Sequence, residues 1–97
     1  MTRVAVTAEH IRLGVTPATA GKIGSPTSLA RRCPLALALR GAFPGAREVV
    51  VAIRRAVVDG RIYALPEAAQ AIVAANTDGR RPRPVTFELP GPVAPPG

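Results

Sequence analysis

The stretch Glu48-Val49-Val50-Val51-Ala52-Ile53-Arg54, followed by Val58-Asp59-Gly60-Arg61-Ile62-Tyr63-Ala64-Leu65, carries the strongest structural signal in the chain. Three successive valines and Ile53 are β-branched, which restricts χ1 and favours a pleated backbone. Asp59-Gly60 tolerates the positive φ that a tight hairpin turn demands. Glu48 to Arg54 is therefore expected to form a strand, and Arg61 to Leu65 the return strand after the turn.

Upstream lies Cys33-Pro34-Leu35-Ala36-Leu37-Ala38-Leu39-Arg40. Its Leu/Ala alternation imitates a strand, but both residues are strong helix formers without β-branching, and Pro34 suits the first helical position. A helix is expected from Pro34 to about Ala42, ended by Gly41, Pro44 and Gly45. Downstream, PEAAQAIVAAN (66–76) sets Ala69, Ile72, Val73 and Asn76 at helical spacing, with Gly79 beyond its end. At the two ends of the chain, Val4 and Val6 alternate with Arg3, Ala5 and Thr7, and Val85, Phe87 and Leu89 alternate with Thr86 and Glu88. Both stretches read as half-buried strands. Thr7 can cap a short helical turn that Gly14 stops. The text VTPATAGKIGSPTS (15–28) reads as a long loop, and PGPVAPPG (90–97) as a mobile, proline-rich tail that cannot join a ladder.

The order strand, helix, strand, strand, helix, strand predicts a single small α+β domain over residues 1–89. A ferredoxin-like sandwich, or a similar antiparallel sheet with two helices on one face, has this order. Val4, Val6, Val49, Val51, Ile53, Ile62, Phe87 and Leu89 are expected to face the helices. Arg3, Ala5, Val50, Ala52, Arg54, Arg61, Tyr63 and Thr86 are expected on the opposite face, open to solvent, a ligand or a second copy.

Composition narrows the function. The 97 residues are 47% hydrophobic and 20% charged, an ordinary globular balance. Aromatics are only 3%, so the core is lean and self-association would help it. The net charge of +7 rests on twelve arginines and one lysine, a set of fixed planar forks suited to phosphate and carboxylate. One cysteine excludes an intrachain disulfide, and one cysteine with one histidine cannot make an all-nitrogen/sulfur zinc site within one copy. No cofactor is expected. The first residues meet Glu9, His10 and Arg12 before an apolar run develops, and no apolar run approaches the length of a bilayer span, so a cytoplasmic protein without a membrane partner is expected.

The best local chemistry is Arg31-Arg32-Cys33-Pro34, at the start of the first long helix. Free backbone N–H groups and the positive end of the helix dipole, flanked by two guanidiniums, define an anion site and lower a thiol pKa. Arg54, Arg61 and Tyr63 supply further candidate contacts, Tyr63 by stacking on a nucleotide ring. Arg54-Arg55 and Arg80-Arg81-Pro82-Arg83 are basic clusters that can meet nucleic-acid phosphates, though the few aromatics give no stacking platform. Gly21-Lys22 lacks the spacing of a phosphate-binding loop. No acid–base pair or nucleophile–base set assembles from the sequence, so an enzyme is not expected.

RRCPLALALRGAFPGAREVVVAI, with the later LPEAAQAIVAA and PVTFEL, resembles a family of small orphan proteins of actinobacteria and their tailed phages. In that family an N-terminal strand and turn precede a Cys-Pro-Leu-Ala-Leu-Ala type helix, then valine-rich strands, a second helix and a final strand. The likeness runs from Val4 to Leu89 and departs in the long loop around Gly21 to Pro26. It implies the same order of elements and the setting of a phage-type accessory gene, whose products sequester a host ligand, block a host protein or counter host defence. The expected function is then a homo-oligomeric, non-enzymatic binder of an anionic ligand, a nucleotide-type defence signal, through Arg31, Arg32, Cys33, Arg54, Arg61 and Tyr63. The alternatives are a nucleic-acid binder without sequence preference and an inhibitor docking on a host protein.

Overall fold

The structure is a computed structural model that describes residues 1–17 and 27–93. Among them, the elements run β1 (Thr2–Val6), α1 (Ala8–Leu13), α2 (Thr27–Arg32), α3 (Pro34–Ala42), β2 (Val49–Val51), β3 (Arg55–Val58), β4 (Arg61–Ala64), α4 (Glu67–Thr77) and β5 (Val85–Leu89). The α+β domain is as expected, and every strand pairing is antiparallel. The strands divide between two sheets, β1-β5 and the meander β2-β3-β4, where one ferredoxin-like sheet was expected.

The extra strand comes from a turn inside the valine-rich run. The Ala52 N–H donates to the Arg55 carbonyl at 2.8 Å, which folds Ile53 and Arg54 into a turn and sends the chain back as β3. Asp59 (φ 49°) and Gly60 (φ 83°) then close the β3-β4 hairpin with the positive φ pair expected of Asp-Gly. An Asp59 carboxylate oxygen accepts from the Arg47 and Glu48 N–H groups, each at 2.8 Å, and pins this turn to the start of β2.

Register corrects three of the expected faces. Pairing Ala56 with Tyr63 and Val57 with Ile62 places Tyr63 inward and Ile62 outward. Tyr63 is 6% exposed, whereas Ile62 is 42% and Ile53, in its turn, 64% exposed. The small Ala56 side chain leaves room for the larger ring, which meets Phe43 at a centroid distance of 5.4 Å and a tilt of 50°. A buried aromatic contributes more contact area than an isoleucine, so this phase wins.

Helix α3 is apolar on nearly every side and lies at the centre, packed against α1, α2, α4, β1 and β2. Leu35 and Leu39 meet Val4, Val6, Val49 and Leu89 in a core from which solvent is almost wholly excluded. Sheet β1-β5 closes the ends of the chain together, Val4 opposite Phe87, with Arg3 Nε donating to Glu88 Oε1 at 3.0 Å on the outer face.

The caps follow local chemistry. Thr7 Oγ1 accepts from the His10 N–H and the Thr7 N–H donates to His10 Nδ1, so His10 completes a capping box in place of the usual Glu or Gln. Helix α4 buries Ala69, Ile72, Val73 and Asn76 as its spacing predicts. It ends in a Schellman motif: Gly79 has φ 75°, the Arg80 N–H donates to the Ala75 carbonyl and the Gly79 N–H to that of Asn76.

The expected loop 15–28 ends earlier than predicted, because α2 begins at Thr27. Its middle, including Gly21 and Lys22, lies outside the described residues, as do residues 94–97 of the expected tail. The described part of that tail departs from expectation, since the Val93 N–H donates to the Ile62 carbonyl on β4 at 2.7 Å. Valine, unlike its proline neighbours, keeps the donor that such a bond needs.

Candidate anion-binding cleft

At the start of α3 the helix end is buried while Arg31 and Arg32 stay exposed. Cys33 is 5% exposed, and Pro34, Leu35 and Ala36 are buried with it. Gly14 lies directly on Pro34: a Cβ added at Gly14 would stand 2.6 Å from the proline ring. Arg31 Nη1 is engaged with Glu48 Oε2 at 3.4 Å, and the Arg32 carbonyl accepts from the Val15 N–H at 2.8 Å. Burial pushes the Cys33 thiol above its ordinary pKa, although the N–H groups of Ala36 and Leu35 pull the other way. This reverses the lowered pKa expected from the helix dipole: desolvation outweighs the partial charge of the helix end.

The other expected contacts are also dispersed. Arg54 sits in the β2-β3 turn and Arg61 opposite Val58, at the other end of β3, roughly 14 Å along the strand at about 3.4 Å per residue. Arg61 and Tyr63 do share one shallow cleft of about 490 Å³ with Phe43, Pro44 and Asp59. Tyr63 is too buried there to offer a ring face for stacking, and Asp59 adds a carboxylate to the lining that holds Arg61.

A larger cleft, about 680 Å³, opens where α1 and α4 end. Three guanidiniums line it: Arg12 from the last turn of α1, and Arg80 and Arg81 just after α4. Asp78 is the one carboxylate in the lining, and Arg80 Nη2 reaches its Oδ2 at 3.2 Å. Arg12 and Arg81 have no carboxylate partner among the described residues. Ile11, Pro17 and Pro82 supply apolar wall, and Thr16 and Thr77 hydroxyl groups. Part of the positive charge offsets the negative ends of the two helices, which point toward the same region. The excess remains available to an anion.

The two ends are held together by Asn76, the one buried polar residue among the described residues, whose Nδ2 donates to the Val15 carbonyl at 3.1 Å. In the sequence Arg80 and Arg81 belong to a basic run, and nothing local singles out Arg12. A bond between positions 61 residues apart, which sequence does not display, makes them neighbours. The available signal was Asn76 itself, a polar residue on an otherwise apolar helical face.

Among the described residues no group of three or more His, Cys, Asp or Glu gathers as metal ligands would, and no helix is long and apolar enough to cross a membrane. No protein family, curated protein or solved structure matches the chain.

Proposed function

We propose that the protein is a non-catalytic binding module that sequesters a small phosphate-bearing ligand in the cleft between the ends of α1 and α4. The observation that carries this reading is the convergence of Arg12, Arg80 and Arg81 on one cleft with a single carboxylate among them. Its volume of about 680 Å³ falls in the usual range of roughly 300–1,000 Å³ for small-molecule sites. Guanidiniums stay protonated at every working pH, so they supply charge and hydrogen bonds without acid–base chemistry. The resemblance to small accessory proteins of actinobacteria and their phages supplies the setting: a nucleotide-type host signal captured by a phage product, in a homo-oligomer that acts in the host cytoplasm.

Isothermal titration with cyclic dinucleotides and ADP-ribose derivatives tests the proposal. The expected result is saturable binding by at least one of them, lost in the Arg12→Gln/Arg81→Gln variant. Absence of binding across the panel, with no nucleotide retained on purification, would sink it.

A second reading, electrostatic binding of nucleic acid, draws on the many arginines that have no carboxylate partner among the described residues, Arg32, Arg40, Arg54, Arg55 and Arg83 among them. It predicts affinity that falls steeply with salt and ignores sequence. Gel shifts at two salt concentrations separate it from the cleft reading, for which duplex DNA competes poorly with a bound nucleotide.

A further inference from the structure

The outer face of the β2-β3-β4 meander carries an unbroken apolar row: Val50 lies opposite Val57, and Val57 opposite Ile62. Strand alternation turns all three away from the core, because Val49, Val51, Ala56, Val58 and Tyr63 are buried on the other side. Val50 and Val57 are only half-buried, and Ile62 is 42% exposed. Val93, bonded to the Ile62 carbonyl at the edge of β4, adds a further exposed aliphatic side chain beside the row.

Charge is divided across this row. Arg55, two residues before Val57 and so on the same face, is exposed and has no carboxylate partner among the described residues. On the far side of the row stand Glu48, two residues before Val50, and Asp59, two after Val57, both exposed and joined by the Asp59 N–H to the Glu48 carbonyl at 2.9 Å. Arg31 reaches Glu48 Oε2 only at 3.4 Å, and the Glu48 side chain keeps half of its surface in water. Arg61 shares the parity of Tyr63 and lines the cleft with it, so it belongs to the other face. The outer face is therefore cationic at one end, acidic at the other and apolar between.

We propose that this face docks on the same face of a second copy, sheet against sheet, about a two-fold axis that runs along the Val50-Val57-Ile62 row. Such an axis stacks the apolar row on itself and sets Arg55 of each copy over the partner's Glu48 and Asp59, so one contact satisfies both ends at once. Five residues of about 3.4 Å along the strands, and three strands plus Val93 at about 4.8 Å across them, give a face of roughly 17 by 19 Å. That is small for a specific interface, so the association is weak and concentration-dependent. The contact supplies the interface of the homo-oligomer proposed above and uses none of the residues that line the anion cleft.

Sedimentation velocity of the full chain from about 1 μM to about 1 mM, the span of weak association, tests the proposal. A monomer–dimer equilibrium is expected in the wild type. Ile62→Arg, at an exposed position, should weaken it at least about tenfold by burying an unpaired charge. Arg55→Glu should weaken it about threefold or more, and the charge swap Arg55→Glu/Glu48→Arg should return it to within about twofold of the wild type, the scale of exposed ion pairs. Thermal transitions check that each variant is folded; should Ile62→Arg not fold, the charge swap decides. A wild type that stays monomeric throughout would overturn both the interface and the homo-oligomer. A dimer indifferent to Ile62→Arg and Arg55→Glu, or one lost instead on deletion of residues 90–97, would overturn this interface alone. Loss in Arg55→Glu without recovery in the charge swap would overturn the two-fold arrangement.

Discussion

The start of α3 and the cleft at the ends of α1 and α4 make opposite use of the same residue types. At the first, two arginines flank a helix N-terminus, the end that attracts anions, and the site is sealed by Gly14 against Pro34. At the second, arginines gather at helix C-termini, where the dipole opposes an anion, and the site stands open. The difference teaches that access and count decide before the dipole does. A helix end contributes about half a charge, whereas each guanidinium without a carboxylate partner contributes a full one to the cleft.

The largest expected effect strikes the sealed region. Leu35→Ala empties a fully buried position beside the helix start and should cost about 2–5 kcal/mol. Thermal unfolding should show a fall in Tm of at least about 10 °C; a near-neutral outcome would mean that the region is not packed as described. Gly14→Ala comes next, because its methyl would overlap the rigid Pro34 ring at 2.6 Å. About 1–3 kcal/mol is expected from such overpacking, and denaturant titration measures it. If the variant is as stable as the wild type, the seal is not tight. Thr7→Ala removes the side-chain half of the capping box and should cost about 1 kcal/mol, a smaller effect because the α1 start lies at the surface.

Cys33 sharpens the contrast without mutation. Its folded-state pKa is raised, so the stability gained by keeping it neutral is complete below the thiol's ordinary value. That stability is lost as pH rises through the folded-state value. A thiol–disulfide exchange reagent should therefore label the unfolded chain far faster than the folded one. Rapid labelling of the native protein would contradict the sealed start of α3.

Much of this contrast was beyond sequence reading, for physical reasons. Helix α3, helix α4 and strand β5 are written in residues whose period is local: Pro34 at the first turn, Ala69, Ile72, Val73 and Asn76 on one face, Val85, Phe87 and Leu89 on another. The β3 strand was legible as well, since an Asp59-Gly60 hairpin requires a partner for Arg61 to Ala64 and residues 55–58 are the only adjacent candidates. Reading the valine run as one strand hid it, and the phase of Tyr63 went with it. The division into two sheets and the meeting of Arg12 with Arg80 and Arg81 depend on contacts between distant segments, which leave no local period. The burial of Cys33 depends on Gly14 approaching Pro34, and glycine marks many positions for many reasons.

The most direct measurement of the central claim is the affinity of the best-binding nucleotide for the wild type and two charge-matched variants, Arg12→Gln/Arg81→Gln and Arg31→Gln/Arg32→Gln. Both variants lose two surface charges, and each single surface substitution is expected to shift stability by no more than about 0.5 kcal/mol. Binding is expected to fall at least tenfold in the first, consistent with about 1.4 kcal/mol or more of lost interaction, and to change less than about twofold in the second. The reverse pattern would return the site to the start of α3, and equal losses in both would reduce the binding to net charge.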